Sequence, residues 1–389
     1  MSKLLFIYER NMPTISITRD MFSNLHNHDE IKSSFRYLTD VKPSDIDSHD
    51  VIIFMRPNNI YSWKIANEAK KAGHVTVTFC DDDLLNLPVS SPTMPWRKEG
   101  LLRVLEHSDV IWSSSRYIAE KYGALTAGKR TAITDTILRP EELDGIKVAC
   151  NEKVRIVYAA APSHAALFEK YIAPIIPELT NEFDISLTFV GVHPNVQGID
   201  CEYVSSMPLL EYRKYMRESG FDIGLAPLHD DEFSKCKYFN KYIEYTTQGI
   251  VGIYAKTEPY TYVVRDGING FLASDNPQDW LRGLRKAIQD REKRKECVEN
   301  AIQHLKNEHS EDACIERIRQ GLPEILEASG NYKKCGGFGL QKVRYYITRP
   351  WDWIYLTGFY LKHTGIKAVI KRTKTHFVEA KAYSRRDQN

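Results

Sequence analysis

The 389-residue sequence has no run of eighteen or so uninterrupted apolar residues, so no helix is expected to cross a bilayer. It has no C-x-x-C pair and no tight Cys/His cluster. Its seven cysteines stand apart at 80, 150, 201, 236, 297, 314 and 335, which argues against a zinc site or a disulfide framework and fits a reducing cytosol. No short internal repeat and no low-complexity tract is visible, which excludes solenoid and linker-like architectures. The opening apolar run, Leu4 to Tyr8, is cut short by Glu9 and Arg10 and is expected to be a first buried strand rather than a signal peptide.

The chain is 42% hydrophobic and 27% charged, the composition of a folded soluble protein, and it is too long for one ordinary core. Its net charge of +2 hides an asymmetry. From Asn331 to Asn389 there are thirteen lysines and arginines against three acids, a net +10, which leaves the first 330 residues at −8. An acidic body with a basic, aromatic tail is therefore expected.

Short apolar runs alternate with helix-period stretches: Leu4 to Tyr8, Val51 to Met55, Val75 to Phe79 and Val110 to Trp112 are separated by 17–25, 61–72 and 101–106, with 117–122 following. That rhythm predicts a parallel, helix-covered sheet. It lapses over 131–152, around Pro140 and Gly145, and resumes with strands at 154–161, 185–190, 222–227 and 250–254 between helices at 165–181, 209–219 and 238–248. The expectation is α/β throughout: domains over 1–140 and 152–330, each doubly wound with ligands at the carboxyl ends of its strands, and a tail over 331–389.

The segment from Phe221 to Leu272 is the most informative. If 238–248 is a helix, Lys237, Lys241 and Glu244 share one face. Two cations near a helix N-terminus attract phosphate, and a carboxylate deeper along the helix can accept hydrogen bonds from ribose hydroxyls. The bland alternative is an ordinary exposed Lys241/Glu244 pair. The segment resembles the donor-binding region of GT-B glycosyltransferases of family 4: an apolar strand ending in Ala226-Pro227-Leu228, then Phe233, Cys236, Lys237, Lys241, Glu244, Tyr245 and Gly249, then Asp266-Gly267-Ile268-Asn269-Gly270. Tyr238 stands where the pattern has a small serine, and Cys236 where many members carry a glutamate. Ala159-Ala160-Ala161-Pro162-Ser163-His164 lies where the family has a glycine-containing turn ending Ser-His.

The resemblance implies a GT-B fold, two Rossmann-like domains facing a cleft, and transfer of a sugar from a nucleotide-sugar donor with retention of configuration. It implies that Glu244 holds the ribose, that Lys237 and Lys241 lie by the diphosphate, and that Ser163, Pro227 and Tyr245 line the donor site. Lys237, Lys241 and His164 are the catalytic candidates. The nucleotide sugar is substrate, and neither a bound cofactor nor a metal is expected. Other readings within the same architecture are a sugar-nucleotide epimerase, a polyol-phosphate transferase or a non-catalytic nucleotide-sugar-binding protein.

In the first domain, Asp81-Asp82-Asp83 follows the run Val75 to Phe79, and Arg10 and Arg56 follow two other strands. Asp82, Asp83, Arg10 and Arg56 are the acceptor-side candidates, because arginines grip anions and carboxylates orient hydroxyls. Alternatively the aspartates cap or structure the domain and each arginine pairs with an acidic neighbour. His26 and His28 read as surface residues. In the tail, tyrosines, tryptophans and cations interleave over 340–377, a pattern suited to an anionic lipid headgroup layer. The competing reading packs these aromatics on the first domain as a C-terminal helix. Nucleic acid is disfavoured by the acidic body. Together these features predict a cytoplasmic enzyme, peripheral at the inner face of the membrane, acting on a lipid-linked or oligosaccharide acceptor in surface-polysaccharide synthesis.

Overall fold

The computed structural model describes residues 2–10, 15–19, 22, 31–87, 92–149, 151–199, 201–366 and 369–370. His26 and His28 lie outside them. The chain divides into two compact units, one drawn from 1–113, 119–133 and 318–389, the other from 114–118 and 134–317. The division at 133/134 falls inside the stretch where the apolar rhythm lapses. Residues from 318 onward, including the described part of the basic tail, belong to the first unit.

The first unit is built on β1 (Ser2–Tyr8), β2 (Ile31–Tyr37), β3 (Val51–Met55), α1 (Ile60–Ala72), β4 (Val75–Cys80), α2 (Pro95–His107), β5 (Val110–Ser113), α3 (Arg116–Leu125, of which the part from Ala119 belongs to this unit) and β6 (Arg130–Ile133). The strands form one parallel sheet in the order β2-β1-β3-β4-β5-β6. β3 is buried along its whole length, as a strand covered on both faces must be, which is why it reads as an unbroken apolar run. α1 starts where the Asn59 side chain accepts from the Ser62 amide at 2.8 Å, and ends at Gly73 in the left-handed conformation.

The second unit contains β7 (Val154–Ala159), α4 (Ala165–Tyr171), α5 (Ile176–Glu182), β8 (Ile185–Val190), β9 (Cys201–Val204), α6 (Leu209–Ser219), β10 (Ile223–Ala226), α7 (Asn240–Thr247), β11 (Val251–Ala255), β12 (Phe271–Ala273), α8 (Pro277–Gln289) and α9 (Arg291–Glu308). The single helix expected over 165–181 is two helices with a 3-10 turn between them, because Pro174 and Pro177 cannot donate into a continuous ladder. The parallel order β12-β11-β10-β7-β8-β9 is that of a Rossmann sheet: the chain runs outward from β7 to one edge, then from β10 to the other.

After α10 (Glu311–Gly321) the chain runs along the first unit. The Lys333 amide donates to the Ala72 carbonyl at 2.8 Å, the Tyr332 ring stacks on His74, and the Cys335 amide donates to Asp47 at 2.7 Å. It ends in α11 (Gly339–Thr364), a helix of 26 residues. Phe338 and Tyr345 join Tyr61 in the core of the first unit.

Candidate functional site

In a doubly wound sheet the crevice opens at the carboxyl ends of the two strands from which the chain departs in opposite directions. In the second unit these are β7 and β10. β7 delivers the turn Ala160-Ala161-Pro162-Ser163-His164. Ser163 is exposed and His164 half-buried, and the His164 carbonyl accepts from the Tyr158 hydroxyl at 3.0 Å. The left-handed Gly191 belongs here: a Cβ on it would stand 2.9 Å from the Ala160 carbonyl oxygen. β10 delivers Pro227, which is buried, and then His229, which is exposed.

α7 begins at Asn240, two residues later than the spacing predicts. Tyr238 is the reason. Its hydroxyl donates to Asp135 and accepts from the Thr136 amide, each at 3.1 Å, and its ring lies on Phe239, so this residue is held outside the helix. Lys237 therefore lies in the preceding turn, with its amide donating to the Ser234 carbonyl at 3.1 Å and its ammonium 4.9 Å from the Phe233 ring.

Lys241 and Glu244 do share a helix face, and they bond. The Lys241 ammonium lies 2.7 and 2.9 Å from the two Glu244 carboxylate oxygens. The pair is more than a surface i,i+3 contact, because Tyr212 of α6 closes it: its hydroxyl donates to Glu244 and lies 3.2 Å from the Lys241 ammonium. Burial, then the nearby Glu244 charge, pushes the Tyr212 hydroxyl well above its ordinary pKa, which keeps it a donor. Tyr212 was not singled out in the sequence, and a tyrosine on an amphipathic helix carries no signal that would do so. The carboxylate has lone pairs beyond those Lys241 and Tyr212 use.

His164 shows the local electrostatics. Burial, then the charges of Lys237, Lys241 and His229, lowers its pKa to about 4, so the ring is neutral at pH 7. Among the described residues, Glu244 is the only carboxylate within ion-pair distance of Lys237 or Lys241. Lys241 is thus paired at this crevice, whereas Lys237 has no carboxylate within ion-pair distance among the described residues.

One expectation for this unit needs correction. Tyr245 does not face the crevice. It is fully buried, its hydroxyl donates to the Leu225 carbonyl at 2.7 Å, and its ring fills the space a Cβ on Gly224 would need. The Asp266-Gly267-Ile268-Asn269-Gly270 segment is a folded turn. The Asn269 oxygen accepts from the Arg265 amide at 2.7 Å, Asp266 accepts from the Leu272 amide at 2.8 Å, and Gly267 and Gly270 have positive φ. These residues shape the entry to β12.

The first unit places its candidates differently. Arg56, left-handed at φ 50°, donates to Asp81 and, at 2.9 Å, to Asp82, and both Arg56 and Asp82 remain partly exposed. Asp83 is fully buried. It accepts from Lys121 at 2.6 Å, Asn86 at 2.9 Å and Tyr122 at 3.2 Å. Burial pushes its pKa up, but the Lys121 hydrogen bond and the other donors outweigh that and leave it below the usual value. Asp83 is structural and cannot meet an acceptor. Arg10 is exposed at the end of β1. Among the described residues no group of three or more His, Cys, Asp or Glu side chains is placed to hold a metal ion.

The charged group that sequence reasoning missed is Glu9. Arg97 of α2 grips both its oxygens, at 2.9 and 3.1 Å, Asn59 donates at 3.0 Å, and Tyr345 of α11 donates at 2.8 Å. Arg97 also reaches Asp352 of α11 at 3.1 Å and Asn58 at 2.7 Å. Burial opposes ionisation of Glu9, but the Arg97 charge and the hydrogen bonds hold its pKa at about 2. This buried network clasps the C-terminal helix to the first sheet.

No protein-family model and no curated protein matches the chain. Solved structures do. HepE of Anabaena, in complex with UDP and glucose, is 11% identical with a TM-score of 0.59, over 83% of this chain and 100% of that one. The sucrose-phosphate synthase of Thermosynechococcus elongatus is 10% identical with a TM-score of 0.61, over 85% and 100%. A putative UDP-N-acetylglucosamine 2-epimerase from Listeria monocytogenes is 12% identical with a TM-score of 0.51, over 86% and 99%. At such identities the likeness is one of fold, and the fold is GT-B.

Proposed function

We propose that this protein is a glycosyltransferase that takes a sugar from a nucleotide-sugar donor held by its second unit. The observation that carries the reading is the placement of Lys237 and Lys241 beside a neutral His164 at the β7/β10 crevice, where, among the described residues, only Lys241 has a carboxylate partner. A nucleoside diphosphate is the ligand class such a crevice favours, and the likeness to HepE solved with UDP-glucose supports it.

In this reading the diphosphate lies by Lys237 and Lys241, while Glu244, oriented by Lys241 and Tyr212, accepts from the ribose. Breaking the glycosyl-phosphate bond leaves negative charge on the diphosphate, and one well-placed donor contributes about 3–4 kcal/mol to the transition state. In retaining transfer the acceptor hydroxyl attacks from the face the diphosphate leaves, and a phosphate oxygen takes the proton, so no enzymic base is needed. His164, being neutral, can donate a hydrogen bond to the donor without adding charge. The acceptor is proposed to be a lipid-linked or oligosaccharide hydroxyl in surface-polysaccharide synthesis, presented at the cytoplasmic face of a membrane, with Arg10 the exposed cation on the acceptor side.

A second reading, a sugar-nucleotide epimerase, is favoured by the Listeria neighbour. Incubation with a panel of nucleotide sugars separates the two. Transfer releases nucleoside diphosphate in proportion to glycosylated acceptor, whereas epimerisation returns an altered sugar still attached to its nucleotide. Glu244→Ala is expected to abolish donor binding; unchanged donor affinity would remove the ribose assignment.

A further inference from the structure

The buried clasp fixes which side of α11 faces the first unit, and thereby which side is left outward. Tyr345, Asp352 and Tyr360 turn in. Leu340, Val343, Ile347, Trp351, Ile354 and Leu361 turn out, between 47 and 83% exposed. At 100° per residue these six fall in one stripe about 80° wide. Six large apolar side chains in register along one helix are a contiguous patch, which marks an interaction surface.

Charge selects the occupant. The helix carries Lys342, Arg344, Arg349 and Lys362, and its only acid, Asp352, is turned inward onto Arg97 and Trp96. Arg344 and Lys362 stand beside the stripe at the same helical angle. Beyond the helix, residues 371–389 add six lysines and arginines against two acids. A second copy of this chain docking face to face would set cations against cations. An anionic lipid surface complements them and accepts the apolar stripe between its headgroups. Among the described residues no helix is long and apolar enough to cross a membrane.

The geometry points to α11 as a membrane-docking helix: it lies flat on an anionic bilayer with the Leu340–Leu361 stripe inserted and Arg344 and Lys362 on lipid phosphates, held in that orientation by Asp352 and Tyr345. This gives a surface to the proposal that the protein works at a membrane. Vesicle binding needs neither donor nor turnover, so its failure would leave the nucleotide site untouched, and loss of that site would leave vesicle binding intact.

The test is cosedimentation of the full chain with phosphatidylglycerol/phosphatidylcholine vesicles and with pure phosphatidylcholine vesicles. Binding is expected on the first and at least tenfold weaker binding on the second. The triple variant Ile347→Ser, Trp351→Ser, Ile354→Ser is expected to lose at least tenfold while keeping the wild-type melting temperature, since all three side chains are exposed. Arg344→Ala with Lys362→Ala should weaken binding about fivefold per cation, from ~1 kcal/mol each. Equal binding to both vesicle types, or an undiminished triple variant, would overturn the inference. So would a wild-type dimer in sedimentation velocity that the triple variant abolishes, because the stripe would then belong to a second copy.

Discussion

Both sheets present charged side chains at the carboxyl ends of their strands, yet the two units use them in opposite ways. In the first unit each of these charges is balanced by a partner of opposite sign within ion-pair distance: Glu9 and Asp352 by Arg97, Asp81 and Asp82 by Arg56, Asp83 by Lys121. In the second, Glu244 balances Lys241, while Lys237 has no carboxylate within ion-pair distance among the described residues. A balanced set needs no ligand and contributes to holding the fold. An unbalanced set is most stable when something anionic completes it. The comparison teaches that function is better sought in the charge left over at a strand end than in the number of charges there.

The largest expected effect comes from breaking the balanced side. Arg97→Ala strands Glu9 and Asp352 without their partner and is expected to cost about 3–5 kcal/mol of stability, read as a fall in denaturation midpoint, with donor affinity of the surviving folded protein unchanged. Equal loss of donor affinity would show that the first unit's network is part of the site. Next, Lys237→Met is expected to lower kcat/KM by about 10²–10³-fold on whichever nucleotide sugar the wild type turns over, with the melting temperature nearly constant. A large drop in melting temperature with intact turnover would move Lys237 to the balanced class.

Tyr212→Phe tests the closure around Glu244. Removing one donor from a carboxylate is expected to weaken donor binding by about 1.5–3 kcal/mol if that donor orients the acceptor oxygens, measured by calorimetry. Tyr245→Phe, by contrast, should leave donor affinity alone and cost about 1 kcal/mol of stability, because its hydroxyl bonds only the sheet backbone.

The smallest effect is a titration. His164 has its pKa lowered to about 4 in the folded chain by burial, then by Lys237 and Lys241, below its unfolded value. Its contribution to stability is therefore complete above the unfolded pKa and is lost as pH falls through about 4. An anion beside Lys237 and Lys241 cancels their field, so the NMR titration midpoint of the His164 ring is expected to rise when nucleoside diphosphate binds. A midpoint that stays put would place the anion elsewhere.

The strands buried on both faces were legible as apolar runs. The edge strands were not. β2, β6 and β9 are partly exposed, so Ile31–Tyr37, Arg130–Ile133 and Cys201–Val204 mix polar and apolar residues and carry no run to detect. The alignment of Lys241 with Glu244 followed from helical spacing alone. The displacement of Lys237 out of that helix did not, because it depends on Tyr238 reaching Asp135, more than a hundred residues away in sequence. Tyr212 and the Glu9–Arg97–Asp352 clasp were invisible for the same reason: hydrogen bonds between distant segments leave no periodic trace. Of the tail's two readings, the packed helix is what Tyr345 shows, since its ring packs inward; Ile347 and Trp351 face out.

The most direct test of the leftover-charge account is calorimetric titration of the intact protein with UDP, GDP, ADP and TDP, repeated on the double variant Lys237→Met, Lys241→Met. The account predicts that at least one nucleoside diphosphate binds the wild type and that the variant loses most of that affinity while melting at nearly the same temperature. Undiminished binding by the variant would contradict it.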